Sequence, residues 1–428
     1  MLSQEDNDLL TQTGPGTPAG NLLRRYWQPV ALSEELTEDG TPLALRVMGE
    51  DLTLFRDEFE RLGLLGLRCP HRGTDLSYGR IEDGGLRCVY HGWLFDVHGN
   101  CLDQPGEPEW SKFAGKVRQR SYPCTERGGL IFAYMGPGEP PELPDYECLG
   151  LPEENVLVTK FYHECNYLHG HEGNIDPQHL ATLHYVLPGE VADAGVRWDA
   201  KGIDVAPRIE VEETDYGIRI YSGRDLDDEH DYVRITNYVY PAAVAFPALR
   251  PPDITGAPIG TAVGAGFYGV NWQVPIDDTH HWKYMLLVSP DAPLAKERIG
   301  PVILADMGPG YAHVRDRSNR YLQDRAEMRR TTFLGMGASF ALQDKFAVEA
   351  QGDIQDRTVE HLGYADKPVA LSRRLLLRAI REVAEGGEAP HVLRDPAQNR
   401  MEHLRIYEAV VPKTEEWSSI WQKDAAPG

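Results

Sequence analysis

Four residues in one short stretch constrain this chain more than anything else in it. They stand as Cys69-Pro-His71 and, after sixteen intervening residues, Cys88-Val-Tyr-His91-Gly-Trp93. Each arm offers one thiolate and one imidazole. A [2Fe–2S] cluster of mixed, Rieske-type ligation takes two sulfurs on one iron and two ring nitrogens on the other. Two facing loops of this composition can therefore clamp one between them. Zinc accepts the same residue types, but its arms more often pair like ligands, as C-x-x-C and H-x-x-x-H. A chain built on such arms needs a small scaffold that holds two turns face to face.

The chain of 428 residues is longer than one ordinary domain and suggests two. Its formal net charge of −23 argues against nucleic acid, because phosphate binding wants a basic surface. The opening MLSQEDNDLL is acidic and lacks the basic and apolar regions of a signal peptide. No stretch approaches the length of a membrane span. Of six cysteines, two belong to the arms. Cys101, Cys124, Cys148 and Cys165 read as free thiols, which suits a reducing cytoplasm.

Hydropathy patterning divides the chain. Residues 1–40 read as a lead-in, with a loop at Gly14-Pro-Gly-Thr-Pro and a helical run around Leu22 to Trp27. Alternating runs at Leu43–Phe55, Leu62–Leu67, Leu86–Tyr90, Leu94–Val97 and Leu130–Tyr134 predict short strands around the two arms. The Pro/Gly cluster from Gly136 to Asp145 marks a boundary, giving units at 41–150 and 151–428. In the second unit, strands are expected at Val156–Glu164, Ile203–Val211, Ile218–Tyr221, Tyr232–Tyr240, Ala262–Val274 and His281–Val288. Helices are expected at Arg315–Met328, near Phe346, at Ser372–Glu385 and at Met401–Val410. One antiparallel sheet followed by helices is an α+β pattern.

The segment from Asn166 to His184 carries a second candidate site: Asp176-Pro-Gln-His179-Leu-Ala-Thr-Leu-His184. A mononuclear non-haem iron takes two histidines and one carboxylate and keeps open positions. Asp176, His179 and His184 offer both ligand types. On a straight helix, residues five apart point about 140° apart. The helix must therefore end or distort if both histidines bind one metal, and Pro177 near a helix start is compatible with that. His163, His169 and His171 read as ordinary structural histidines.

Together these motifs resemble the oxygenase component of the Rieske non-haem iron oxygenases, most closely the phthalate dioxygenase and LigXa-type aromatic O-demethylase branch. The resemblance rests on GPGTP…LLRRYW, C-P-H-R, Y-H-G-W, E-G-x-x-D-P-x-H-x-x-x-x-H and the late Q-D…E-x-Q-G-x-I-x-D-R-T block, and it covers nearly the whole chain. It implies a small all-β Rieske domain followed by a larger catalytic domain of helix-grip type. It assigns Cys69, His71, Cys88 and His91 to the cluster, His179, His184 and Asp344 to a mononuclear Fe(II), and Asp176 to a bridge toward the neighbouring subunit's cluster histidine, equivalent to His91. Glu349, Asp353 and Asp356 are rival carboxylates to Asp344. Relatives that bind phthalate use pocket arginines. Here Arg208, Arg219 and Arg234 read instead as strand residues pointing to solvent.

The implied activity is hydroxylation, dihydroxylation or O-demethylation of a small aromatic acid with O2. The bridge implies a homotrimer or stacked trimers, closed head to tail. The chain has no Gly-rich dinucleotide fingerprint and no plant-type ferredoxin pattern. NAD(P)H electrons must then arrive through a separate flavin and iron–sulfur reductase. Two alternatives stand beside this: a Rieske monooxygenase for a non-aromatic amine or terpenoid, and an electron-transfer protein without oxygenase chemistry. The His/Asp segment argues against the last, since a pure carrier needs no second iron.

Overall fold

Short alternating runs with turn residues between them make the first third of the chain almost entirely β. The computed structural model describes residues 1–37, 39–185, 187, 205–248, 267–401 and 404–420. Eleven strands precede residue 135: β1 (Trp27–Leu32), β2 (Leu43–Val47), β3 (Glu50–Arg56), β4 (Leu62–Gly66), β5 (Arg80–Glu82), β6 (Gly85–Arg87), β7 (Leu94–Phe95), β8 (Cys101–Asp103), β9 (Ser121–Tyr122), β10 (Cys124–Arg127) and β11 (Leu130–Tyr134). They form three antiparallel sheets, ordered β2-β3-β4-β9, β5-β6-β7-β8 and β1-β11-β10. A small core of Phe55, Leu65, Leu76, Leu86, Phe95 and Val97 joins the first two sheets and includes Cys69 and Cys88.

The rest of the chain is organised by an eight-stranded antiparallel sheet. Its strands are β12 (Val156–His163), β13 (Arg208–Glu213), β14 (Gly217–Asp225), β15 (His230–Val239), β16 (Ala243–Pro247), β17 (Tyr268–Pro275), β18 (His281–Val288) and β19 (Tyr407–Pro412). The order is β12-β18-β17-β16-β15-β14-β13, with β19 also paired to β15. The sheet and its helices give the α+β fold that the pattern predicts. Helices α1 (Gln4–Thr11) and α2 (Pro18–Leu23) open the chain, and α3 (Tyr167–Ile175), α4 (Lys296–Ile303), α5 (Phe340–Glu349) and α6 (Lys367–Ala384) follow. The lead-in does not stand apart: Leu10, Leu22 and Leu23 share one core with Leu375 and Leu376 of α6 and with the large sheet. Cys101, Cys124, Cys148 and Cys165 form no disulfide.

Several expectations are corrected. Arg315–Met328 is not an α-helix. The Asp316 carboxylate accepts from the Ser318 and Asn319 N–H groups, and Arg320, Tyr321 and Leu322 all have positive φ. Side-chain capping here outcompetes the helical ladder. The described part of the expected Met401–Val410 helix is not helical either, and residues 402–403 lie outside the described residues. Its end, from Tyr407, belongs to β19, where Val410 and Val411 are buried against β15. The helix near Leu22 stops at Leu23, and Trp27 begins a strand. Ala243–Pro247 is a strand that the pattern missed. Residues 203–204 and 262–266 of two expected strands lie outside the described residues. Among the described residues no helix is long and apolar enough to cross a membrane.

Candidate metal centres

The first centre is built from two loops of nearly the same design. In one, the Cys69 N–H donates to Thr74 O and the Gly73 N–H returns to Cys69 O, both at 2.8 Å. In the other, the Cys88 N–H donates to Trp93 O at 2.8 Å and the Gly92 N–H returns to Cys88 O at 3.0 Å. Gly73 and Gly92 have φ of 78° and 75°, the left-handed conformation that closes each loop and that a side chain would strain. The loops turn Cys69 and Cys88 inward, to 3% and 2% exposure. They leave His71 exposed and His91 half-buried, with ring centroids 4.4 Å apart. Trp93 stacks on His71 at 4.4 Å. Burial, reinforced by the facing Cys88 sulfur, pushes the Cys69 thiol up to about 11. Metal would have to displace those protons. Two inward sulfurs and two outward imidazoles fit a cluster with one buried and one outer iron.

The second centre begins where α3 ends. Asn166 caps that helix early, accepting from the Leu168 N–H at 3.1 Å. Asp176 is its C-terminal cap and Pro177 follows. Proline restricts the residue before it and stops the helix. Pro177 therefore follows the end of α3 and precedes a short 3-10 turn, not an α-helix. His179 sits in a short 3-10 turn, His179–Ala181, and the Leu183 N–H folds back to His179 O at 2.8 Å. This break lets His179 and His184 converge, with centroids 5.3 Å apart. Arg224 of β14 donates to Pro177 O at 2.5 Å and holds the turn against the sheet.

Helix α5 supplies the third group. Asp344 Oδ1 lies 3.0 Å from His184 Nε2 and 3.8 Å from His179 Nε2. Its other oxygen, Oδ2, lies 3.5 Å from the buried Lys283 Nζ. Among the described residues, His179, His184 and Asp344 are the one group whose ligand atoms fall within 4.8 Å of one another. The opposite ring nitrogens each face a neighbour, and that of His184 is hydrogen-bonded. His184 Nδ1–H donates to Gln343 Oε1 at 2.6 Å, and the Gln343 amide nitrogen donates to Gly337 O at 2.7 Å, which fixes the amide orientation. His179 Nδ1 faces Asp176 Oδ2 at 3.4 Å, while Asp176 Oδ1 accepts from the Gln178 N–H at 2.7 Å. Both imidazoles thus present Nε2 toward one carboxylate oxygen, and the His184 Nε2 is buried without a hydrogen-bond partner. That donor set fits a divalent metal.

Charge in this centre is balanced by neighbours. Burial raises the Asp344 carboxyl, but His184, Lys283 and His179 bring it well below the usual carboxylate range. Burial likewise opposes ionisation of Asp176 and His179, and their mutual contact wins, lowering one and raising the other.

The rival carboxylates are occupied elsewhere. Glu349 is buried, accepting from Lys345, Tyr321 and the Glu164 N–H. Asp353 pairs with Arg317, and Asp356 caps Thr358. His169 uses both ring nitrogens, on Val348 O and the Gln355 N–H, and His171 meets Ser372. Two arginines depart from expectation. Arg208 is exposed, but Arg219 and Arg234 are buried at 3% and 5%, because Glu212 and Glu408 accompany them. Sequence reasoning missed Lys283 and Gln343. The signal for Lys283 was one lysine inside the apolar run HWKYMLLV.

Comparison with known proteins accords with this architecture. The Rieske [2Fe-2S] domain family matches residues 26–123, and the LigXa C-terminal domain like family matches residues 133–426. Phthalate 4,5-dioxygenase oxygenase subunit of Pseudomonas putida is 35% identical over 100% of this chain and 97% of its own length. The oxygenase subunit of tert-butanol monooxygenase / tert-amyl alcohol desaturase from Aquincola tertiaricarbonis is 39% identical over 63% of this chain and 57% of its own. In fold, the crystal structure of dicamba monooxygenase bound to dicamba matches with a TM-score of 0.61 at 21% identity, covering 86% of this chain and 99% of that one. The chain belongs to the Rieske non-haem iron oxygenases, as an oxygenase subunit of the phthalate dioxygenase and LigXa-type branch.

Proposed function

We propose that this subunit hydroxylates or O-demethylates an aromatic carboxylate, phthalate or a related acid, at iron held by His179, His184 and Asp344. In this reading Cys69, His71, Cys88 and His91 hold the cluster that delivers electrons. The observation that carries it is the convergence of two imidazole Nε2 atoms on one carboxylate oxygen, beside a fold unit with paired Cys/His loops. When bound, such an iron offers open positions for O2 activation. Gln343 and Asp176 orient the two imidazoles, and Lys283 holds the far oxygen of Asp344. The relative named for phthalate supports the aromatic-acid assignment.

The cluster histidines face outward, and beside them Val89, Tyr90 and Phe113 are exposed apolar groups. Asp176 and His179 are each about a quarter exposed. Both features suit a head-to-tail trimer, or stacked trimers, in which one subunit's His91 meets its neighbour's Asp176. The same apolar rim suits docking of a flavin and iron–sulfur reductase that brings electrons from NAD(P)H. Residues 41–150 would form the cluster domain and 151–428 the catalytic domain, with 1–40 as lead-in. A cytoplasmic location fits the free thiols.

A second reading, oxidation of a small non-aromatic alcohol, is favoured by the relative named for tert-butanol. The test is turnover of the reconstituted system with a reductase, NADH and O2 on phthalate, 3-chlorobenzoate, vanillate and tert-butanol. Product from an aromatic acid, with NADH use coupled to it, supports the first reading. Product from tert-butanol alone refutes it.

A further inference from the structure

Lys283 belongs to a buried polar face that the metal ligands do not explain. Antiparallel register puts Lys283 opposite Phe161 on β12 and opposite Gln273 on β17, so the three side chains share one side of the sheet. One rung further, His163 pairs with His281 and stacks on it at 4.7 Å. His313 stacks over Phe161 at 5.3 Å. All are nearly inaccessible: His163 is 2% exposed, Gln273 1%, Lys283 5% and His313 4%.

Lys283 pairs with Asp344, but the polar atoms of His163, Gln273 and His313 have no hydrogen-bond partners among the described residues. Both ring nitrogens of His163 and of His313, and both amide atoms of Gln273, make no hydrogen bond. His281 donates through Nδ1 to Cys165 O at 2.7 Å, which leaves its Nε2 as an unused acceptor. A buried polar group without a partner is costly, and such a concentration calls for an occupant. Charge says what kind. Lys283 and Asp344 already match one another. A ferrous ion at the histidines would add two positive charges, and Asp176 beside His179 offsets only one of them. An anion would restore the balance. Beside the polar face Phe161, Met285, Leu287 and Ala341 form an apolar cluster.

We propose that Lys283, with His163 one rung away and His313 above Phe161, forms an anion subsite beside the iron position, and that it receives the carboxylate of the aromatic substrate. This rests on the aromatic-acid reading above and names the residues that would enforce it. Lys283 supplies the charge, and the two imidazoles donate to the carboxylate oxygens.

The test is calorimetric binding to anaerobic, iron-loaded enzyme of two matched pairs: 3-chlorobenzoate against 3-chlorobenzamide, and phthalate against phthalamide. Wild type is expected to prefer a carboxylate to its amide by about tenfold or more, the scale of a charged hydrogen bond. K283M should abolish that preference and K283R should keep part of it. H313L should weaken the carboxylate by about threefold, a neutral hydrogen bond, and the amide, with one acceptor oxygen instead of two, by less. Iron content is measured in each. If K283M also loses iron, H313L decides, because His313 touches no metal-facing atom. Variants that keep the full carboxylate preference overturn the subsite alone. A wild type that binds each pair alike overturns the aromatic-acid reading and the subsite with it.

Discussion

Replacing Gln343 with leucine tests how the iron position is held. Gln343 is 2% exposed and joins two groups: its oxygen accepts from His184 Nδ1 at 2.6 Å and its nitrogen donates to Gly337 O at 2.7 Å. Leucine has similar volume, so packing is preserved while both bonds vanish. His184 then loses the partner that keeps its proton on Nδ1 and its lone pair on Nε2. Loss of such a partner typically costs about 10–100-fold in metal affinity, or ~1.4–2.7 kcal/mol. The stranded Gly337 carbonyl adds about 1–3 kcal/mol of lost folding stability. A lowered melting temperature must therefore be measured beside the binding. Q343E separates the two effects, because it keeps an acceptor at Nδ1 and is expected to fall between wild type and Q343L. The assay is chelator competition for ferrous iron under anaerobic conditions, with the cluster followed independently by its visible spectrum. Q343L binding iron within about twofold of wild type would falsify the claim that Gln343 positions His184.

Three further outcomes are expected. D344A should lose the mononuclear iron and keep the cluster colour, whereas E349A, whose carboxylate serves Lys345, Tyr321 and the Glu164 N–H, should lose stability and keep the iron affinity of its folded fraction; the reverse pattern in iron analysis would reassign the carboxylate ligand. D176N should load both metals yet slow reoxidation of the reduced cluster with substrate and O2 present, and wild-type rates in single-turnover stopped flow would reduce Asp176 to the helix cap it also forms. Glu172 is buried, which disfavours its charge, but Arg357 and Arg373 hold its carboxyl down to about 2. Its contribution is complete above the ordinary glutamate value and is lost as pH falls through about 2, a difference of order ~3 kcal/mol. Wild type should therefore lose urea resistance between pH 5 and 3 more steeply than E172Q; parallel slopes would remove Glu172 as the source.

What the sequence discloses depends on how local the determinant is. The two Cys/His loops are readable because each closes on itself, with its own glycine, within five or six residues. Strands β12 and β18 are readable because each carries a run rich in β-branched, aromatic and aliphatic residues. Asp344 is different: its meeting with His184, 160 residues earlier, depends on how α5 packs, so spacing alone leaves four carboxylates open. The roles of Lys283 and Gln343 are hidden for the same reason, since their partners are set by sheet register and by a loop carbonyl. The buried arginines misread as solvent-facing show the complementary error. Arg219 and Arg234 are tolerated inside because Glu212 and Glu408 stand beside them. β19 was mistaken for helix because glutamate and alanine dilute its β-branched end, and pairing with β15 overrides that propensity.

The two histidines are held by unlike partners, and burial accounts for the difference. The His184 side chain is 1% exposed and leans on a neutral amide. A carboxylate in place of Gln343 would put a second negative charge into an interior where Asp344 already needs Lys283 beside it. His179 and Asp176 are 24% and 26% exposed, so a charged partner is tolerated there, where solvent can screen it. The anionic partner thus falls on the histidine that faces outward. The neutral partner falls on the histidine that faces the Lys283 side of the interior. Exchanging them, with D176N and Q343E in one chain, would keep the number of carboxylates and reverse their placement. The double variant should fold less stably than either single variant, and it should keep iron while losing the outward-facing charge. If it behaved as the wild type in iron affinity, stability and cluster reoxidation together, placement of the carboxylate would carry no weight.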